Sequence, residues 1–257
     1  MMPEAQLAGC RARGAVWDSA LLKGSDLSGA DLREGQFNKA LLESANLDEA
    51  SLVRADLSSM YGINAQLNGC DLRESRMEQV VLNNAQLRGS KLQNVQGPKA
   101  CLWGADLRQA NFSGSKLFNV RFGPARLDSA QLADCDLRRM NLLQAQAHQA
   151  NFTGSKMNEA LVNDSVLTQC DLSKATLRRS HLARCDLEGA DLQGADMMNS
   201  RLTKARLVGT DLRGANLYCA EVTKLVMGET RLARANLDCT SLERREHLVE
   251  EINHEPQ

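Results

Sequence analysis

Every fifth residue of this chain is apolar, in one unbroken register. From Leu7 to Leu242, the 48 positions whose numbers end in 2 or 7 hold 33 leucines, ten Phe, Met or Val residues and Trp17. Only Ala12, Gly62, Gly97 and Ala147 depart from the rule, and no insertion or deletion shifts it. Two residues earlier, 42 of the 48 positions carry Ala, Ser, Cys, Gly or Thr. The stretch Cys185-Asp186-Leu187-Glu188-Gly189-Ala190-Asp191-Leu192 displays the unit: small, Asp or Asn, apolar, then two mostly polar residues.

A five-residue period suits neither regular element. On an α-helix each repeat would advance the leucine by about 140°, scattering it over all sides. On a flat strand an odd period would send alternate leucines to opposite faces. A chain that turns a corner at every repeat keeps them all inside.

Runs such as Ala30-Asp31-Leu32-Arg33-Glu34, Ala105-Asp106-Leu107-Arg108-Gln109 and Ala215-Asn216-Leu217 resemble the pentapeptide-repeat family, over about residues 5–242. The resemblance implies an all-β fold: a right-handed parallel quadrilateral β-helix with four pentapeptides per coil. In that fold the apolar residue and the small residue two before it point inward, and the other three face solvent. At four repeats per coil the 48 repeats make about twelve coils, and parallel pairing at roughly 4.8 Å gives a rod of about 58 Å. Each coil of such a solenoid touches only its neighbours. The expected organisation is one β-helix, 1–242, followed by a capping helix and tail, 243–257. Thr240-Ser241-Leu242-Glu243 reads as a capping box, with Leu248, Val249 and Ile252 as dimerisation candidates, because a C-terminal helix dimerises some members of the family.

Gly62 and Gly97 read as local kinks with the register kept, the sharper alternative being a hinge or a ligand approach, since glycine inside a strand pattern marks a bend; Gly123-Pro124 and Ala147-His148 read as milder irregularities. Trp17 is expected to fill space left by Ala12 in the first coil.

Charge and composition narrow the function. Lys and Arg number 31 against 32 Asp and Glu, a formal net charge of −1. That balance implies no general attraction to nucleic acid or to an anionic membrane, and no stretch has the apolar length of a bilayer span. Met1-Met2-Pro3-Glu4-Ala5 lacks the basic start and apolar run of a secretory signal, so a cytoplasmic location is expected. Of the eight cysteines, Cys10, Cys70, Cys135, Cys170 and Cys185 hold the small inward position, where a thiol acts as a small hydrophobe. Cys219 and Cys239 end two pentapeptides twenty residues apart. Stacked on one face, their Cα atoms would lie within disulfide range; both coincidence and a bond fit that spacing.

Dividing the repeats among four faces separates their surfaces. Leu21, Leu41, Tyr61, Val81 and Cys101 follow one another at twenty-residue spacing in an outward position, with Ile63 and Trp103 beside them and Leu143 and Leu161 further on. Large exposed apolar patches mark interaction sites, so Leu21, Leu41, Tyr61, Ile63, Val81 and Trp103 are the partner-binding candidates. The alternative is that these residues only strengthen the sheet. A basic zone gathers His181, Arg184, Arg201, Lys204 and Lys224 with Arg138, Arg139, Lys156, Arg178 and Arg179, diluted by Asp136, Glu159, Asp164 and Glu221, and is read as solvated charge, with anion binding as the alternative. The face carrying Asp26, Asp48, Glu49, Asp106, Asp128, Asp186, Glu188 and Glu229, against Arg88, Arg108, Arg126 and Arg206, is the acidic one.

No catalytic constellation emerges. His148, His181, His247 and His254 do not group with cysteines or carboxylates at metal-ligand spacing, and no phosphate-binding or dinucleotide glycine motif occurs. The chain is therefore expected not to be an enzyme and to need no cofactor or metal. The favoured function is a scaffold or adaptor that binds a protein partner through a flat face, with homodimerisation as a further option. The resemblance supplies a second: quinolone-resistance members of the family mimic B-form DNA and bind type II topoisomerases. A duplex carries one negative charge per about 1.7 Å, which a balanced chain matches poorly. A third reading is a secretion-system accessory or effector.

Overall fold

The computed structural model describes residues 4–242. From Gln6 to Asn216, every residue whose number ends in 1 or 6 forms a parallel bridge with the residue twenty positions on. The bridges fall into four columns, which define four faces. The first runs through Gln6, Asp26 and Asn46, the second through Arg11, Asp31 and Ser51, the third through Val16, Gln36 and Asp56, and the fourth through Leu21, Leu41 and Tyr61. This is the four-sided parallel β-helix, with sides only one bridge wide.

Two kinds of backbone bond tie each coil to the next. The residue at the centre of a repeat donates forward, as in Leu27 N–H to the Asn46 carbonyl at 2.7 Å. The bridge residue donates backward, as in Asn46 N–H to the Ser25 carbonyl at 2.9 Å. A corner closes each repeat: Ala30 N–H returns to the Leu27 carbonyl at 3.1 Å. Third in that four-residue turn stands a residue with positive φ, glycine or not, at every position ending in 4 or 9 except one. A turn of this kind requires left-handed backbone at its third residue. Glu34, Lys39 and Arg54, at φ 61, 56 and 58, accept the strain because the coils above and below impose it.

The exception is Pro124. Proline cannot reach positive φ, so Gly123 takes that role at φ 53, and Gly104 N–H bonds to the Phe122 carbonyl rather than to residue 123. This is a distorted corner, larger than the mild irregularity expected. Gly62 and Gly97 keep the register, as expected, but sit in regular bridge-and-turn units and not in kinks. At Gly62 the reason is volume. Met60 replaces the usual small residue, and its Cε lies 3.5 Å from where a Gly62 Cβ would stand, with Leu82 Cδ2 at 2.9 Å. A large residue in the small site fills the hole left by none in the large one. At Gly97, Leu117 and Met77 close in similarly.

Leu22 to Leu217 form one continuous column of buried apolar side chains, most of them fully buried. The first coil is thinner. Trp17, part-buried, stacks on Phe37 one coil below at 5.9 Å between ring centroids, which covers the end of the core as a lid. The inward cysteines do more than fill space. Thiols of Cys70, Cys135, Cys170 and Cys185 donate to carbonyls of Leu47, Phe112, Ala147 and Val162, as the Ser115 and Thr210 hydroxyls do to Leu92 and Leu187. Burial pushes the thiols of Cys135, Cys170 and Cys185 up to about 12, so they stay protonated.

Candidate protein-binding face

One backbone donor in each repeat is left over: the N–H of the residue after the centre, which outside the Gly123 corner has no backbone acceptor among the described residues. The Asp or Asn of the pattern exists to accept it. Asp26 Oδ1 takes Ser28 N–H at 3.0 Å, Asn46 takes Asp48 N–H at 3.1 Å and Asp171 takes Ser173 N–H at 2.9 Å. These are side-chain-to-backbone turns typical of Asp and Asn.

On the fourth face, five successive coils forgo that acceptor. Leu21, Leu41, Tyr61, Val81 and Cys101 bridge in one continuous column, and none can accept a turn N–H as Asp or Asn does. Elsewhere in the described rod a missing Asp or Asn is usually replaced by Gln, Lys, Arg or Ser, and no other column carries five such side chains in a row. Leu21 is 37% exposed, Tyr61 43% and Trp103 44%, while Leu41, Val81 and Ile63 are half-buried. Ile63 and Trp103 lie beside the column, two coils apart on its turn side. The Trp103 indole lies on the distorted corner: a Cβ on Gly123 would fall 2.3 Å from its Cε3. Cys101 is a correction. It is only 7% exposed and its thiol donates to Asn83 Oδ1 at 2.9 Å, so it ends the ladder without contributing surface. Beyond Arg121 and Asn141, Leu161 (38% exposed) and half-buried Leu143 resume the apolar character. Leu248, Val249 and Ile252 lie outside the described residues.

Part of the charge on the charged faces is matched within the face. Each of the five Asp-Leu-Arg sequences forms a two-pronged ion pair across its leucine: Asp31 with Arg33, Asp71 with Arg73, Asp106 with Arg108, Asp136 with Arg138 and Asp211 with Arg213. Residues i and i+2 of an extended segment share a side, which puts both charges outward. The pairing was open to sequence reasoning and was missed. Arg33 holds the Asp31 carboxyl down at about 2, and Arg13 and Arg54, from the coils on either side, hold Glu34 at about 2. In the basic zone, Arg139 meets Glu159, Arg178 meets Asp196, Arg184 meets Asp164 and Arg201 meets Glu221. On the acidic face Arg206 reaches Asp186 and Glu188, and Arg108 takes Asp106. Neither surface is a field of one sign.

Cys219 and Cys239, stacked one coil apart with Cα atoms 4.6 Å apart, are joined as a disulfide; the other six cysteines are single thiols. Among the described residues no three His, Cys, Asp or Glu side chains gather as a metal site, and no helix is long and apolar enough to cross a membrane. The surface depressions, such as that between Gln193, Arg213 and Arg234, are open dents between turns.

A four-sided solenoid whose corners repeat every five residues defines a class of protein. The chain belongs to the pentapeptide-repeat family: the model for pentapeptide repeats matches in eight copies, over residues 4–35, 63–96, 99–123, 125–164, 148–182, 163–197, 180–217 and 195–231. No curated protein sequence matches it. Among solved structures, it is similar to HetL, a pentapeptide repeat protein involved in heterocyst differentiation regulation from the cyanobacterium Nostoc sp. strain PCC 7120. The identity is 26% and the TM-score 0.34, over 90% of this chain and 89% of that one. It is also similar to QnrB1, a plasmid-mediated fluoroquinolone resistance protein, at 16% identity and TM-score 0.42, over 71% of this chain and 97% of that one. A third is Rfr23 from the cyanobacterium Cyanothece 51142, at 18% identity and TM-score 0.32, over 59% of this chain and 90% of that one.

Proposed function

We propose that the protein is a non-catalytic scaffold that binds a protein partner through the upper half of its fourth face. The observation that carries this reading is the run Leu21, Leu41, Tyr61, Val81, Cys101, where five coils in succession lack the Asp or Asn that would cap a turn N–H. A net hydrogen bond is worth about 1 kcal/mol, so the ladder gives up some stability at each coil. Rule-breaking of this kind is expected where function, not folding, selects the residue. Exposed Tyr61 and Trp103, two coils apart and flanked by aliphatic side chains, are the anchor types that dominate binding energy at protein interfaces. The remaining faces mix charges of both signs, some of them in ion pairs, and are read as solvated surface. A cytoplasmic location fits the six single thiols.

The test is the double variant Tyr61→Glu and Trp103→Glu, compared with wild type by size-exclusion chromatography and by pulldown under native conditions. Loss of about 2 kcal/mol at each anchor lowers affinity by about a thousandfold, so captured partners should disappear while the melting temperature holds. Unchanged self-association and unchanged partners would make the ladder purely structural.

Topoisomerase binding by DNA mimicry is the weaker reading. QnrB1 is a resistance protein of the same repeat family, but a duplex mimic needs a continuous run of unneutralised anions. Here Asp106, Asp186 and Glu188 are matched by Arg108 and Arg206. Gyrase supercoiling, with and without a quinolone, should be unaffected by micromolar protein.

A further inference from the structure

We propose that Cys219 and Cys239 form a redox-reversible staple that locks the last described coil onto the rod, and that a small-molecule disulfide closes it. Three observations point to this pair. First, the backbone brings the two residues together without help from sulfur. Cys219 N–H donates to the Asp238 carbonyl at 3.0 Å, Asn216 bridges Asn236, and the Cα atoms stand 4.6 Å apart, inside the range a disulfide spans. The reduced pair is therefore already aligned, and bond formation needs no rearrangement of the coil.

Second, these two differ from the buried cysteines in access, and from part-buried Cys10 in having a cysteine one coil away. Cys70, Cys135, Cys170 and Cys185 are buried, donate to carbonyls and have thiols made harder to ionise by burial. Cys219 is half-buried and Cys239 exposed, both on corners at φ 52 and 63. Reactivity follows thiolate character and access, so an external disulfide reaches this pair and not the buried four.

Third, the staple sits in a thinly packed coil: between Leu22 and Leu217 the core side chains are buried, whereas Leu225, Met227, Ala235 and Leu237 are only partly so, as in the first coil. The parallel bridges end with Asn216 to Asn236, three residues before Cys239. In a one-dimensional stack each coil is held only by its neighbours, and a thinly packed one opens first. A link across one coil restrains that opening.

The chemistry balances with oxidised glutathione as the oxidant. The Cys239 thiolate attacks one sulfur of the small disulfide, forming a mixed disulfide and releasing one glutathione thiolate. The Cys219 thiolate then attacks Cys239 Sγ, closing the protein bond and releasing the second. Two electrons pass to glutathione, and the two thiol protons end on the released glutathiones. Excess glutathione or dithiothreitol runs the sequence backwards.

The experiment uses the full chain in two forms, one equilibrated with oxidised glutathione and one with dithiothreitol. Intact mass should differ by two hydrogens, with peptide mapping placing the bond at Cys219–Cys239. Hydrogen exchange should then show amides of residues 220–240 opening on the order of 10–100-fold less often in the oxidised form, with the middle of the rod unchanged. Cys239→Ser should remove the difference. Failure of oxidised glutathione to form the bond in the folded protein would overturn the proposal. So would equal exchange in the last coil of both forms, since the bond would then restrain nothing.

Discussion

At Val81 an apolar side chain occupies a position where asparagine would serve the fold better. Asparagine there could accept the Asn83 N–H, as Asn46 accepts that of Asp48, for about 1 kcal/mol. What it would lose is contact with Tyr61 and Cys101 in the column, worth about 0.5 kcal/mol. Val81→Asn should therefore leave stability unchanged or raise it by about 0.5 kcal/mol in urea unfolding, while weakening the partner complex. Lower stability with intact binding would show that valine is there for the sheet. The spacing of the ladder was legible in the sequence because hydropathy every twenty residues reports a column directly. Cys101 was not, since its burial depends on Asn83 and the turn carrying Trp103, which hydropathy does not encode. Nor was Pro124: its cost is apparent only once each repeat is known to need positive φ at that position.

The coil is the element on which the surface map depends, and register is its only connection to function. Deleting residues 66–85 removes a whole turn of the solenoid and leaves Tyr61 stacked directly on Cys101, with Trp103 still beside the column. Deleting 66–70 removes one side, and turns Val81 and Trp103 onto a different face from Leu21, Leu41 and Tyr61. Both chains keep the five-residue pattern, so both should fold cooperatively by circular dichroism. Partner binding should survive the longer deletion and fail in the shorter. Retention of binding after the five-residue deletion would mean that the partner reads individual corners, not a column. The glycines at 62 and 97 illustrate the same logic. The sequence suggested kinks, but Met60, Leu82, Leu117 and Met77 fill the gaps, because neighbouring layers can share volume while the backbone bonds hold register.

Along the described rod many carboxylates are paired with an arginine, which gives the stability a pH signature. Asp31 and Glu34 ordinarily titrate near 3.8 and 4.5 and are each held at about 2 by arginine hydrogen bonds. Because the folded values are depressed, their contribution is complete above the unfolded values and is lost as pH falls towards 2. The urea midpoint should be flat above about pH 5 and decline from there to pH 2, less steeply in Arg33→Gln. A midpoint unchanged down to pH 2 would mean that the pairs contribute nothing. The central claim, that one face of this rod and not its neighbours meets a protein, is tested most directly by site-specific photocrosslinking in cells. A benzophenone amino acid placed at Tyr61 on the fourth face should yield a discrete crosslinked adduct, and the same group placed at Ser51 on the second face should yield none. Adducts of equal strength from both positions, or none from Tyr61, would contradict the account.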